Sequence, residues 1–303
     1  MELKKLQPAL TVEEQVENLK KINLIIEDEE YAQSFLNDVS YFRFIKAYSL
    51  GHKTKNGAYD ANMSFEVLVD LYKFNCNFRH ALFPIIERIE VNLRCRIANH
   101  FSKKYGVLGY EDPNNFLNEK YHNKFLEEIQ EEIKRNSQSP FVKNFIENYE
   151  EARLPMYALI ELFSFGTLSK FFKNMKGEDK KVIANAYGIN YSLLEGWFEC
   201  IAYVRNICAH YGRLYNAKLA KTPELPKQYK GQSISTLRIF GIILCMHHLV
   251  SYDIHWYYFV DQIDELIKRY PAVDIKTMGF PANWKELLNQ GRPERPSEIH
   301  KIQ

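Results

Sequence analysis

Residues 203–216 of the chain read YVRNICAHYGRLYN, and within this run Arg205, Asn206 and His210 bring together a guanidinium, a carboxamide and an imidazole. That set suits cleavage of RNA by its own 2′-hydroxyl. Attack on the neighbouring phosphorus requires proton transfer by a group that titrates near neutrality, and the crowded phosphorane requires a fixed cation. On a helix, Glu199, Asn206, His210 and Arg213 fall on a polar side, with Asn206 and His210 one turn apart. Ile201, Val204, Cys208, Tyr211 and Tyr215 fall on an apolar side. Arg205 lies five residues before His210, about 140° around an ideal helix. Its long side chain must curl across, or the helix must loosen near Gly212.

The elements that would position these residues are helices. Thr11 and Glu14 form a capping box ahead of Val16, Leu19, Ile22 and Ile26 at helical spacing, so a first helix starts at Thr11. A second, short one covers residues 40–48. From Ser64 the pattern is helical to Tyr105, with a kink or break expected at Pro84 and a cap at Gly106. Residues 107–122 read as a loop, 124–135 as a helix, and Pro140 and Pro155 as first-turn residues of two more. The helix after Pro155 should end at Gly166-Thr167, which caps the next, over 168–175; another passes Val182 and Ala186 and stops at Gly188. The motif segment runs from Tyr191 to about Tyr215, followed by helices over 233–250 and 254–269. The division expected is an N-terminal helical region, 1–106, a second helical region, 107–290, and a polar flexible tail, 291–303.

Composition narrows the function classes. The 303 residues are 46% hydrophobic, with only 13 Gly and 11 Pro, enough apolar material for a large core built from long elements. A net charge of +2 does not by itself mark a nucleic-acid binder. Cys76, Cys95, Cys200, Cys208 and Cys245 are widely spaced in apolar contexts, as expected of reduced thiols in a cytoplasmic protein. The N-terminus lacks the apolar core of a signal peptide, and no segment approaches the ~18 apolar residues of a membrane span. No cofactor is implied. The nearest approach to a metal site is His247, His248, Asp253 and His255, whose apolar neighbours suggest aromatic packing instead.

Two further groups stand out. Glu87, Arg88, Glu90, Arg94 and Arg96 charge the second half of the long helix, where a solvated face with local ion pairs is expected. Arg94 and His100 also imitate the arginine–histidine spacing, in surroundings that read as an ordinary amphipathic helix. Lys170, Lys173 and Lys176 recur at spacing three, a lysine face that would also make a phosphate track.

The motif run resembles the signature of the Abi-like (AbiD/AbiF) abortive-infection proteins of the HEPN superfamily: an arginine, a polar residue, and a histidine a few positions on, matched by Arg205, Asn206 and His210. Residues 41–44, 89–94, 154–157, 162–169 and 278–284 resemble the same family in order. One departure is Tyr211, where the family more often has histidine. The resemblance implies an all-α, multi-helix HEPN-type bundle with additional N-terminal helices. It implies a metal-independent endoribonuclease, a toxin of phage defence, restrained by a noncoding RNA or other antitoxin and leaving a 2′,3′-cyclic phosphate. His210 would transfer protons, Arg205 would stabilise the transition-state charge, and Asn206 would orient His210 or the phosphate. Arg43 and Arg94, which lie in two of the matching stretches, join Arg213, Lys170 and Lys173 as candidate RNA contacts. One histidine cannot readily act as base and acid at once, so a homodimer through the motif helix is expected. The alternatives are a non-catalytic RNA-binding HEPN protein or antitoxin partner and, more remotely, a metal-dependent nuclease.

Overall fold

Three capped helices open the chain in the computed structural model, which describes residues 8–229, 231–250 and 254–292. Helix α1 (Val12–Lys21) carries the anticipated capping box, with Thr11 accepting from the Glu14 amide and Glu14 accepting in return from the Thr11 amide. Asp28 caps α2 (Glu29–Asp38), and Ser40 caps α3 (Tyr41–Tyr48). Phe35 and Phe44, 4.8 Å apart between ring centres, bind α2 to α3 and meet Phe65 of the next helix.

That next helix, α4 (Phe65–Tyr105), runs for 41 residues, about 60 Å, and is the axis of the fold. It continues without a break through Pro84. The amide Pro84 lacks would have bonded the carbonyl of His80, and both residues are exposed, so water can serve that carbonyl in place of the ladder.

The remaining helices are α5 (Glu119–Arg135), α6 (Pro140–Asn148), α7 (Met156–Leu159), α8 (Phe165–Asn174), α9 (Gly177–Asn185), α10 (Tyr191–Ala209), α11 (Ile239–Leu249), α12 (Ile254–Arg269) and α13 (Trp284–Asn289). Helices α3 and α7 through α12 all pack on α4. Among the described residues there is no strand beyond three isolated bridges, so the all-α reading holds.

Several boundaries differ from expectation for local reasons. The stretch after Pro155 is only one turn of α-helix, then a 3-10 turn at Ile160–Leu162. The cap of α8 is Ser164, which accepts from the Thr167 amide, so Gly166 sits inside α8 and ends nothing. Helix α5 begins at Glu119, capped by Asn118, five residues before the apolar periodicity becomes visible. Of the expected tail, residues 293–303 lie outside the described residues, while Arg292 donates to the carbonyls of His247 and Val250.

His247, 7% exposed on α11, is held in its neutral form by its partners. Its Nε2–H donates to the Gln290 carbonyl at 3.1 Å, and Nδ1 accepts from Arg292 Nε at 3.2 Å. Burial, reinforced by the charges of Arg292 and His248, pushes its pKa down to about 3, and burial lowers that of His248 as well. The unfolded chain therefore binds the extra proton first as pH falls. Stability is retained above the ordinary histidine value of about 6.5 and declines below it. For His247 alone, acidification from pH 7 to pH 5 should remove about 2 kcal/mol. A urea-denaturation midpoint that falls between these pH values in the wild type, and falls less in His247→Gln, would verify this.

Candidate active site

Asn190 caps the N-terminus of α10, accepting from the Ser192 amide, and the helix buries Leu194, Trp197, Phe198, Ile201, Val204 and Cys208 against the core. Five of these, Leu194, Trp197, Phe198, Ile201 and Val204, are fully excluded from water, each stabilising the docked helix by about 2 kcal/mol relative to exposure. The interior side of the motif helix is thus as its periodicity indicates, up to Cys208.

Beyond Cys208 the motif segment does not continue as helix to Tyr215. Helix α10 ends at Ala209, His210 is its C-cap, and Tyr211 adopts a left-handed conformation with φ +59°. The Gly212 amide reaches back to the Ile207 carbonyl at 2.7 Å and the Tyr211 amide to that of Cys208 at 3.2 Å, the paired bonds of a Schellman cap. Gly212 is required by close approach, since a Cβ there would lie 2.8 Å from Ile207 Cγ2 and 3.1 Å from the Ile207 carbonyl oxygen. Tyr211 consequently leaves the apolar side and stands 69% exposed next to His210.

The turn is fastened from α4. Asn75, fully buried, accepts with Oδ1 from the amides of Leu214 and Tyr215 at 2.8 and 2.9 Å. Arg79 donates to the Gly212 carbonyl at 2.9 Å, and Asn75 Nδ2 approaches the same oxygen at 3.4 Å. From α3, Arg43 donates to the Tyr211 carbonyl at 3.0 Å. The backbone on the far side of His210 therefore has its polar groups met by three side chains from two other helices.

Within this frame Asn206 and His210 are both exposed on the last turn of α10. Arg205 turns toward α4, half-buried, with its Nε 3.8 Å from Glu90 Oε2 and its guanidinium 6.0 Å from the centre of the Phe83 ring. Glu90 in turn accepts from Arg94 at 2.6 Å. Arg94 also donates to the carbonyls of Ile160 and Phe163, so its guanidinium ties the turn after α7 to α4 and has little left to offer a phosphate. The charged face of α4 is correspondingly less solvated than its composition suggests: Arg94 and Glu90 are each only 12% exposed at the side chain, and Arg96 lies over the Tyr187 ring.

The other candidates are dispersed. Arg213 is half-buried and donates to the Tyr215 carbonyl at 3.0 Å, not to Glu199, and burial lowers its pKa from the ordinary arginine value. Glu199 pairs with Lys221 and Lys173, and Lys170 pairs with Glu128, placing both lysines beside the first half of α10, away from His210. His100 bonds Asp179 at 2.7 Å within a cluster with Lys104 and Tyr105 that joins α9 to α4. Cys208, buried behind the motif, has its thiol pushed up to about 12 by burial and is no nucleophile near pH 7.

Asp253 lies outside the described residues. His247 and His248 are engaged with Gln290, Arg292 and Tyr229, and among the described residues no three His, Cys, Asp or Glu side chains converge as metal ligands would. No helix among them is long and apolar enough to cross a membrane.

Two substitutions test the anchored turn. Asn75→Ala leaves two buried amides without an acceptor and should cost about 3 kcal/mol, seen as a lower denaturation midpoint. Tyr211→Asn, which keeps a residue tolerant of the left-handed region without glycine's added chain entropy, should raise stability by about 0.5–1 kcal/mol. A drop in melting temperature for the asparagine variant would contradict the strain argument.

No curated protein and no solved structure matches the chain. The profile of the family described as Abi-like protein does match, over residues 34–216, which takes in α3 through α10, the anchored turn and all of the resembling stretches except 278–284. With more than half of its length covered, the chain belongs to the Abi-like protein family.

Proposed function

We propose that this chain is a metal-independent endoribonuclease of the HEPN type, the toxin of an abortive-infection system, held in check by a noncoding RNA or another antitoxin. Family membership supports the role in abortive infection. The observation that carries the chemistry is the pair Asn206 and His210, both exposed on the last turn of a helix whose end is pinned by Asn75, Arg79 and Arg43, with Arg205 on the flank. An exposed imidazole on a rigid terminus can meet a phosphodiester without local unfolding, and the rigidity keeps the geometry productive.

In the proposed reaction the 2′-oxygen attacks phosphorus as a base removes its proton, and the bond to the 5′-oxygen breaks as an acid protonates it. The products are a 2′,3′-cyclic phosphate and a 5′-hydroxyl. Arg205 neutralises charge on the phosphorane, and Asn206 orients the imidazole or the phosphate. Glu90 acts as a positioning residue by holding Arg205. Base and acid are supplied by His210 of two copies, which requires a homodimer with the α10 termini face to face. Phe42, 79% exposed one residue from the Arg43 contact, and Tyr211 give that face an apolar component.

The purified protein should cleave RNA in chelator-containing buffer and leave cyclic-phosphate ends, and His210→Ala should lower the rate by at least about a hundredfold. Because His210 is exposed, the melting temperature should change by less than about 1 °C. Expression of the wild type should arrest growth and that of His210→Ala should not. Tight RNA binding without cleavage would instead favour a non-catalytic RNA-binding protein, and cleavage that needs a divalent cation would refute the metal-free mechanism.

A further inference from the structure

A cleft of about 500 Å³ lies among α5, α8 and the start of α10. Its volume falls in the range of small-molecule sites. Glu195 on its wall precedes His210 by 15 residues, about 22 Å of helical rise, so the cleft is separate from the motif.

Its floor is aromatic. Phe116, Phe125 and Phe171 are at most 8% exposed and pack edge to face around Phe171, at centroid separations of 5.2–5.3 Å. Tyr121 stands 65% exposed on the wall. Four lysines, Lys124, Lys170, Lys173 and Lys180, line the cleft against two carboxylates, Glu128 and Glu195.

The charges are unequally committed. Lys180 is buried and spends its charge on Glu195 at 2.6 Å. Lys170 and Lys173, whose side chains are 68% and 62% exposed, hold Glu128 and Glu199 only at 3.2 and 3.7 Å. Exposed pairs of this kind contribute about 0–1 kcal/mol each, so a dianionic phosphate can displace them at small cost.

We propose that this cleft binds a nucleoside monophosphate unit, its base stacked on Tyr121 over the phenylalanine floor and its phosphate held by Lys124, Lys170 and Lys173. A planar ring suits the aromatic lining better than an alkyl chain, and a phosphate matches the three outward amines. The unit could come from a free nucleotide or from the 5′-phosphorylated end of an RNA. Neither source depends on the nuclease reading, because none of the cleft residues belongs to the motif.

The test is isothermal titration of the full-length protein with AMP, adenosine and the 5′-phosphorylated dinucleotide pApA. AMP should bind at least about tenfold more tightly than adenosine. Lys124→Glu combined with Lys170→Glu should weaken AMP by about tenfold or more, and Tyr121→Ala, at an exposed position that does not threaten folding, should weaken AMP and adenosine alike. Affinity for pApA well above that for AMP identifies RNA ends as the source, and equal or lower affinity identifies the free nucleotide. Absence of AMP binding, or binding unchanged in both Tyr121→Ala and the charge-reversed variant, overturns the proposal.

Discussion

The candidate site depends on one constraint, the satisfaction by Asn75 and Arg79 of the backbone just past the end of α10. A helix C-terminus leaves four carbonyls without partners, and here the chain turns inward and presents further amides to the core. Buried polar groups of this kind cost about 1–3 kcal/mol each when unmet. Asn75 meets two amides with one oxygen, and Arg79 meets the Gly212 carbonyl. Without them the turn would have to move outward, and His210, its first residue, would move with it.

The same helix, α4, also determines where Arg205 can go. Glu90 lies near the middle of α4, 12% exposed, and is shared between Arg94 and Arg205. Arg94 is the closer partner at 2.6 Å against 3.8 Å, so Glu90 is largely neutralised by Arg94 and holds Arg205 loosely. A tightly paired Arg205 would have little charge to give a phosphorane, and an unheld one would sample many rotamers. The observed intermediate, with the Phe83 ring at one side, limits the guanidinium while leaving it available.

Those relations explain what was legible in the sequence. The capping box at Thr11, the start of α4 at Ser64 and the apolar face of α10 through Cys208 rest on contacts within a few residues, and their signals are local. The end of α10 is different. Its C′ residue is Tyr211, not the glycine that marks most left-handed caps, and the glycine that matters, Gly212, is needed for closeness to Ile207. The groups that hold the turn lie 133 to 168 residues earlier, so no window around His210 contains them. The solvated face expected around Arg94 is absent for the same reason: its carbonyl partners at Ile160 and Phe163 are 66 and 69 residues away. For Lys170 and Lys173 the spacing indicates the exposed lysine face, while two of the three rings of the aromatic floor beside it, Phe116 and Phe125, come from the loop before α5 and from α5 itself.

Helix α10 therefore joins two chemically distinct regions along one rigid rod. Its C-terminal turn offers an imidazole, a carboxamide and a flanking guanidinium, and its N-terminal half contributes Glu195 and Glu199 to a lysine-rich, aromatic neighbourhood. A rod buried along its length by Trp197, Ile201 and Val204 transmits displacement more readily than it bends, because close-packed interiors yield little to local strain.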